Sequence, residues 1–124
     1  MKKKFLRCPI CGNLVEVIND SNVRVMCCGK PMEELVANTT DGATEKHVPV
    51  VDVKENSVTV TVGEVLHPMT EDHYIMWINV VTNLKEYHFN LIPGMEPKVT
   101  FTKESNEQIT DVYAYCNLHG LWKK

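Results

Sequence analysis

The chain has 124 residues and a formal net charge of -3, a length that builds one ordinary core plus at most a small appendage, since single domains usually take about 100–150 residues. No basic field exists to hold nucleic acid or an anionic membrane surface, and no segment approaches the roughly 18 apolar residues of a membrane-spanning helix. MKKKFLRCPI at the N-terminus is positively charged, but cysteine and glycine follow it instead of the apolar stretch of a secretory signal; this points to the reducing cytoplasm, where clustered cysteines favour metal over disulfides. The odd total of five cysteines also prevents complete pairing within one chain.

Residues 1–36 contain two cysteine pairs and short apolar stretches, LVEVI at 14–18 and VRVM at 23–26, separated by the polar turn NDSN. This predicts a small hairpin with metal-binding knuckles at its ends. So short a segment needs a metal, disulfide or partner to fold. ANTTDGAT at 37–44 is small and polar and reads as a linker. From residue 45 to 124 the pattern has period two. Val58, Val60 and Val62 share one strand face while Thr59 and Thr61 take the other, and HYIMWINVVT, KVTFTK and ITDVYAYC are similarly rich in β-branched and aromatic residues. With no helical periodicity between them, these strands predict an antiparallel β-sandwich or barrel.

CPICG, with Cys8 and Cys11, and CCGKPM, with Cys27 and Cys28, supply four sulfurs in two knuckles. Four thiolates close a tetrahedral shell around zinc or iron and leave no position open for substrate. Gly12 and Gly29 suit tight turns whose backbone N–H groups point at sulfur. The adjacent Cys27-Cys28 pair departs from the usual Cys-x-x-Cys spacing and demands a wider, distorted tetrahedron. Residue types alone leave open a structural zinc knuckle and a one-electron iron centre.

A second constellation lies in the β region: His47, His67, His73, His88, His119 and Cys116. His67 and His73 flank PMTED, a turn that brings two imidazoles together, and Cys116 to His119 has the Cys-x-x-His spacing of a knuckle at a strand end. Cys116 shares its face with Val112 and Ala114, so it points inward. His88, in KEYHFN, reads as an ordinary strand residue. Imidazoles leave a metal cationic and electrophilic, a thiolate donates electron density to whatever binds opposite, and such a set can leave a coordination position open for chemistry. Trp77 and Trp122 read as core or interface residues, and Met69 as a gap-filler between two ligand candidates.

CPICGN…CCGKPM, TEKHVPV, HPMTEDHYIMWI and YCNLHGLW together resemble desulfoferrodoxin, the two-iron superoxide reductase family of anaerobic and microaerophilic microbes. The resemblance covers nearly the whole chain. It implies a small rubredoxin-like, desulforedoxin-type domain over 1–36 and an immunoglobulin-like β-sandwich of the neelaredoxin type over 45–124. It implies two iron ions per chain: one held by Cys8, Cys11, Cys27 and Cys28, where zinc is the alternative occupant, and one held by His47, His67, His73 and His119 with Cys116 as axial ligand. His88 matches no ligand position.

The implied activity is the one-electron reduction of superoxide to hydrogen peroxide, with a rubredoxin-type carrier as electron donor and a homodimer as the usual assembly. The resemblance also gives the glutamate at Glu45 the role of closing the sixth coordination site of the ferric state, and gives Lys46 that of attracting the anion. Without it, a Glu-Lys pair reads as a solvated turn. An electron carrier using only the four-cysteine site and a zinc-stabilised binding module are the competing readings. A blue-copper site is disfavoured because such centres use two histidines.

Overall fold

A computed structural model describes residues 3–124, in two compact units that divide between Val36 and Ala37. The first is built from very short strands. β1 (Phe5–Arg7) lies between β2 (Leu14–Glu16) and β5 (Glu33–Glu34), and β3 (Met26–Cys27) pairs with β4 (Lys30–Pro31), all antiparallel. The predicted hairpin between 14–18 and 23–26 does not form. Each apolar stretch instead pairs across its own cysteine knuckle, β1 with β2 around Cys8 to Cys11 and β3 with β4 around Cys27 to Gly29. The knuckles are the turns, because the backbone there bends to aim N–H groups at sulfur: Ile10 N and Cys11 N both donate to Cys8 Sγ at 3.4 Å. Gly12 and Gly29 sit at φ +79° and +74°, and Cys28 itself at +52°, a left-handed conformation that a β-carbon normally disfavours. Among the described residues of this unit, Phe5, Leu6 and Cys8 are the buried apolar side chains, so little core holds it together without a cross-link at the cysteines.

The second unit begins with a single helical turn, α1 (Thr44–His47), and continues as two antiparallel sheets. One has the order β10-β7-β6, with β6 (Pro49–Lys54), β7 (Ser57–Val62) and β10 (Lys98–Thr102). The other has the order β12-β11-β8-β9, with β8 (Ile75–Thr82), β9 (Glu86–Asn90), β11 (Ile109–Cys116) and β12 (Gly120–Lys123). Val58, Val60 and Val62 of β7 face Ile78 and Val80 of β8 and Val112 and Ala114 of β11 in one core, as their alternation predicts. Cys116 is fully buried at the edge of that core.

One irregularity sets the end of β11. Tyr115 pairs with Trp77, but Cys116 pairs with Ile75, so Met76 is an extra residue in β8. In a regular strand Ile75 and Trp77 would share a face; the bulge turns Ile75 into the core opposite Cys116 while Trp77 stacks on Tyr115, ring centroids 5.6 Å apart. No helix among the described residues is long and apolar enough to cross a membrane.

Candidate metal centres

In the first unit the sulfurs of Cys8, Cys11, Cys27 and Cys28 lie within 4.8 Å of one another, and none is in a disulfide. Cys11 Sγ and Cys27 Sγ are 3.7 Å apart. Four ~2.3 Å metal–sulfur bonds in a tetrahedron leave the sulfurs about 3.8 Å apart, so the group has the size of a closed metal shell. Its acid–base balance points the same way. Backbone N–H donation, chiefly from Cys11, pulls the Cys8 thiol down to about 6, whereas the neighbouring sulfurs of Cys11 and Cys8 push Cys28 up to about 12. Four thiolates cannot coexist at this spacing unless a cation sits among them.

In the second unit the donors arrive from separated parts of the chain. His47 ends α1, His67 and His73 sit in the connection between β7 and β8, Cys116 ends β11, and His119 lies in the turn into β12. The donor atoms of His47, His67, His73 and Cys116 lie within 4.8 Å of one another. His119 joins them through Nδ1, 3.1 Å from His47 Nε2 and 3.8 Å from Cys116 Sγ. His88 stands apart on β9, hydrogen-bonded to Asn79 and Asn90.

The hydrogen bonds fix which nitrogens are bare. His47 Nδ1 donates to the Ala43 carbonyl and His67 Nδ1 to the Pro68 carbonyl, each at 2.7 Å. A carbonyl only accepts, so both rings carry their proton on Nδ1 and turn an unprotonated Nε2 inward. Those two Nε2 atoms face each other at 3.1 Å. Lone pair against lone pair, with no proton to share, is repulsive unless a cation is present. Two ~2.1 Å bonds at a right angle place their nitrogens about 3.0 Å apart, which is this spacing. His73 Nε2 is likewise buried without a partner.

Burial lowers the proton affinity of His47, His67 and His73, the second of these to about 4, with neighbouring imidazoles adding to the effect. The rings are therefore neutral near pH 7 and ready to bind metal. Burial raises Cys116 despite an N–H donated to its sulfur by His119 at 3.4 Å, so a cation is needed to hold it as thiolate. The donor chemistry fits a metal with four nitrogens and one sulfur.

Glu45 and Lys46 are both exposed on α1. The Lys46 charge reaches His47 and His73, where it adds to burial in disfavouring the imidazolium. Glu45 lines a cleft of about 500 Å³ shared with Thr44, Glu64 and Lys124. The backbone of α1 is held by Val65 N donating to the Glu45 carbonyl at 2.9 Å, and by Gly63, where a β-carbon would lie 2.5 Å from that same carbonyl oxygen.

Three site residues carry no signal in the sequence. Trp122 stacks on His47, centroids 4.7 Å apart, and donates Nε1 to the His119 carbonyl at 3.0 Å. Gly42 lies against Trp122, His47 and His119, with a β-carbon there only 3.1 Å from the indole. Asn117 is hydrogen-bonded to the chain on both sides of His73. Met69 fills a gap, as its residue type suggests, and its sulfur accepts Ile75 N at 3.3 Å.

Comparison with known proteins agrees with this arrangement. The desulfoferrodoxin family profile matches residues 39–124, and that of the desulfoferrodoxin N-terminal domain matches residues 2–35. The chain is 46% identical over 117 residues to a desulfoferrodoxin homolog of Archaeoglobus fulgidus, covering 94% of this chain and 92% of that one. The crystal structure of the superoxide reductase from Treponema pallidum superposes with a TM-score of 0.83 at 33% identity, covering 100% of this chain and 99% of that one. The superoxide reductase (1Fe-SOR) from Giardia intestinalis superposes with a TM-score of 0.56 at 34% identity, covering 64% of this chain and 95% of that one. The chain belongs to the desulfoferrodoxin family.

Proposed function

We propose that the protein is a superoxide reductase, with iron held by His47, His67, His73, His119 and Cys116 and a second iron held by Cys8, Cys11, Cys27 and Cys28. The observation that carries this reading is the convergence of bare imidazole nitrogens, His47 and His67 Nε2 at 3.1 Å and the unpartnered His73 Nε2, on a buried thiol. When bound, the second-unit iron supplies one electron, so that superoxide plus one electron and two protons gives hydrogen peroxide while the metal passes from ferrous to ferric.

The chain's own groups prepare that exchange. Ala43 and Pro68 carbonyls fix the tautomers of two imidazoles, which keeps their nitrogens available at neutral pH. The His119 N–H and the apolar surroundings of Cys116 set how much electron density the sulfur donates. His47 and His67 are buried, whereas His73 and His119 are only half-buried, so access is on their side. There Lys46 offers local positive charge to an anion that must approach a protein of net charge -3. Glu45, on the same turn, would supply a carboxylate ligand to the oxidised metal.

Turnover would take one further electron per cycle, for which a rubredoxin-type carrier is the proposed donor. Cys11 and Cys28 are exposed, which supports electron exchange at the first centre; zinc there would confine it to a structural role. Ile10, Ile18, Val23 and Val36 leave apolar surface open on the small unit, which supports a homodimer. Five unpaired thiols suit a reducing cytoplasm, and removal of superoxide there is a detoxifying role. Titrating the reduced, iron-loaded protein with superoxide tests the function: one peroxide per superoxide without released dioxygen supports it, and dioxygen release or an unresponsive second centre overturns it.

A further inference from the structure

We propose that Asn117 is a positioning residue for this reaction, fastening the chain on both sides of His73 to the turn that carries Cys116 and His119. The inference rests on the ligand set proposed above and adds a residue to it.

His73 is held differently from two of its fellow imidazoles. His47 and His67 each have the second ring nitrogen tied to a carbonyl at 2.7 Å. Among the described residues the His73 ring has no such tie to a carbonyl: its Nε2 is buried without a hydrogen-bond partner, and the ring lies against those of His47, His67 and His119. It also sits in the long connection between β7 and β8, which has no regular structure of its own. Its placement has to come from the backbone. The turn from Thr70 to His73, closed by reciprocal N–H to carbonyl bonds of 3.0 and 3.2 Å, shapes the segment but does not tie it to the rest of the site.

Asn117 supplies that tie. Its Oδ1 accepts Tyr74 N at 2.9 Å, its Nδ2 donates to the Asp72 carbonyl at 3.0 Å, and its own backbone N donates to the Tyr74 carbonyl at 3.2 Å. The residues immediately before and after His73 are thus bonded to the residue immediately after Cys116. A carboxamide is required, because one planar group must accept from an N–H and donate to a carbonyl at once. Aspartate lacks the donor and leucine lacks both. Displacement of His73 relative to Cys116 changes the metal's ligand field and affinity, as loss of an outer-shell hydrogen bond typically costs about 10–100-fold in metal affinity.

The test uses the full-length apoprotein, cobalt(II) as probe and chelator competition. The thiolate-rich first centre, built by the other unit, is the internal control. For Asn117→Ala the expected result is about 10–100-fold weaker cobalt binding at the nitrogen-rich site and shifted ligand-field bands there, with first-centre bands unchanged. Asn117→Asp, which keeps the acceptor for Tyr74 N, should fall between Asn117→Ala and the parent and serves where the alanine variant does not fold. Asp72→Ala keeps the carbonyl and should match the parent. Parent-like affinity and bands in both Asn117 variants, even with lowered thermal stability, would make Asn117 a loop clamp only and overturn the proposal. A parent protein that binds a single cobalt, at its cysteines, would overturn the ligand set instead.

Discussion

The Trp122 indole is stacked on the His47 imidazole with centroids 4.7 Å apart and planes 27° from parallel, while its Nε1 donates to the carbonyl of His119. One side chain thus braces two metal-ligand candidates that are far apart in sequence. Trp122→Phe keeps a stacked ring and loses the hydrogen bond. It should weaken second-site metal binding by about 10-fold with a modest stability loss of about 1 kcal/mol. Trp122→Ala removes the stack and opens a cavity as well, which should cost about 3–5 kcal/mol. Denaturant unfolding of the metal-free protein, read beside chelator competition, separates the two effects.

Gly63 should tolerate nothing larger. An alanine β-carbon would lie 2.5 Å from the Glu45 carbonyl oxygen and 2.7 Å from the Lys46 carbonyl carbon, and both are backbone atoms that cannot rotate away. Gly63→Ala should therefore displace the turn carrying Glu45, Lys46 and His47, at a cost of about 1–3 kcal/mol. The expected signature is a lowered unfolding midpoint with loss of metal from the second site and an unchanged first site, measured by metal analysis after dialysis against a weak chelator.

The metal-free protein should lose stability in mild acid. Burial holds His67 near 4, below the ordinary 6.5, so between those values the unfolded chain binds a proton that the folded chain does not. The contribution is complete above pH 6.5 and is lost as the pH falls toward 4, up to about 3 kcal/mol for a shift of this size. His47 and His73 shift in the same direction and extend the loss. Unfolding free energies of apoprotein across this range should fall with acidity; a flat profile would contradict neutral, buried imidazoles.

Lys46→Met should slow capture of superoxide without disturbing either centre's spectrum. Lys46 is exposed, but its charge is felt at His47 and His73, and it opposes the repulsion of a chain with net charge -3. The bimolecular rate should drop by about 10-fold at low ionic strength. The gap between variant and parent should narrow as salt is raised, because screening removes the advantage that the charge gives. A deficit independent of salt would assign Lys46 a contact role instead of steering.

Local pattern carried the β sandwich, and it singled out the cysteines and histidines among which the fold gathers two groups of donor atoms. Val58, Val60 and Val62 alternate with threonines, and that alternation alone places them in the core. Cys116 follows Val112 and Ala114 on the inward face, where it is found. Pairing was less legible. LVEVI and VRVM look like partners, yet each folds back across its own cysteine turn, because N–H groups directed at sulfur decide the path of so short a segment. Trp122, Asn117, Gly42 and Gly63 could not be read as site residues, since their roles lie in contacts with His47, Tyr74 and Glu45 that only the folded chain creates. The bulge at Met76 has no sequence signal either; it follows from two sheet faces needing Ile75 and Trp77 on opposite sides.

The most direct test of the account is the visible spectrum of the anaerobically reduced, iron-loaded protein during stepwise addition of superoxide, with iron assayed per chain and peroxide and dioxygen measured together. The account predicts two irons per chain, a new charge-transfer band from the Cys116 site that saturates at one superoxide per chain, and one peroxide released for each superoxide without dioxygen. A single iron per chain with a spectral response confined to the four-cysteine centre would contradict it and leave an electron carrier in its place.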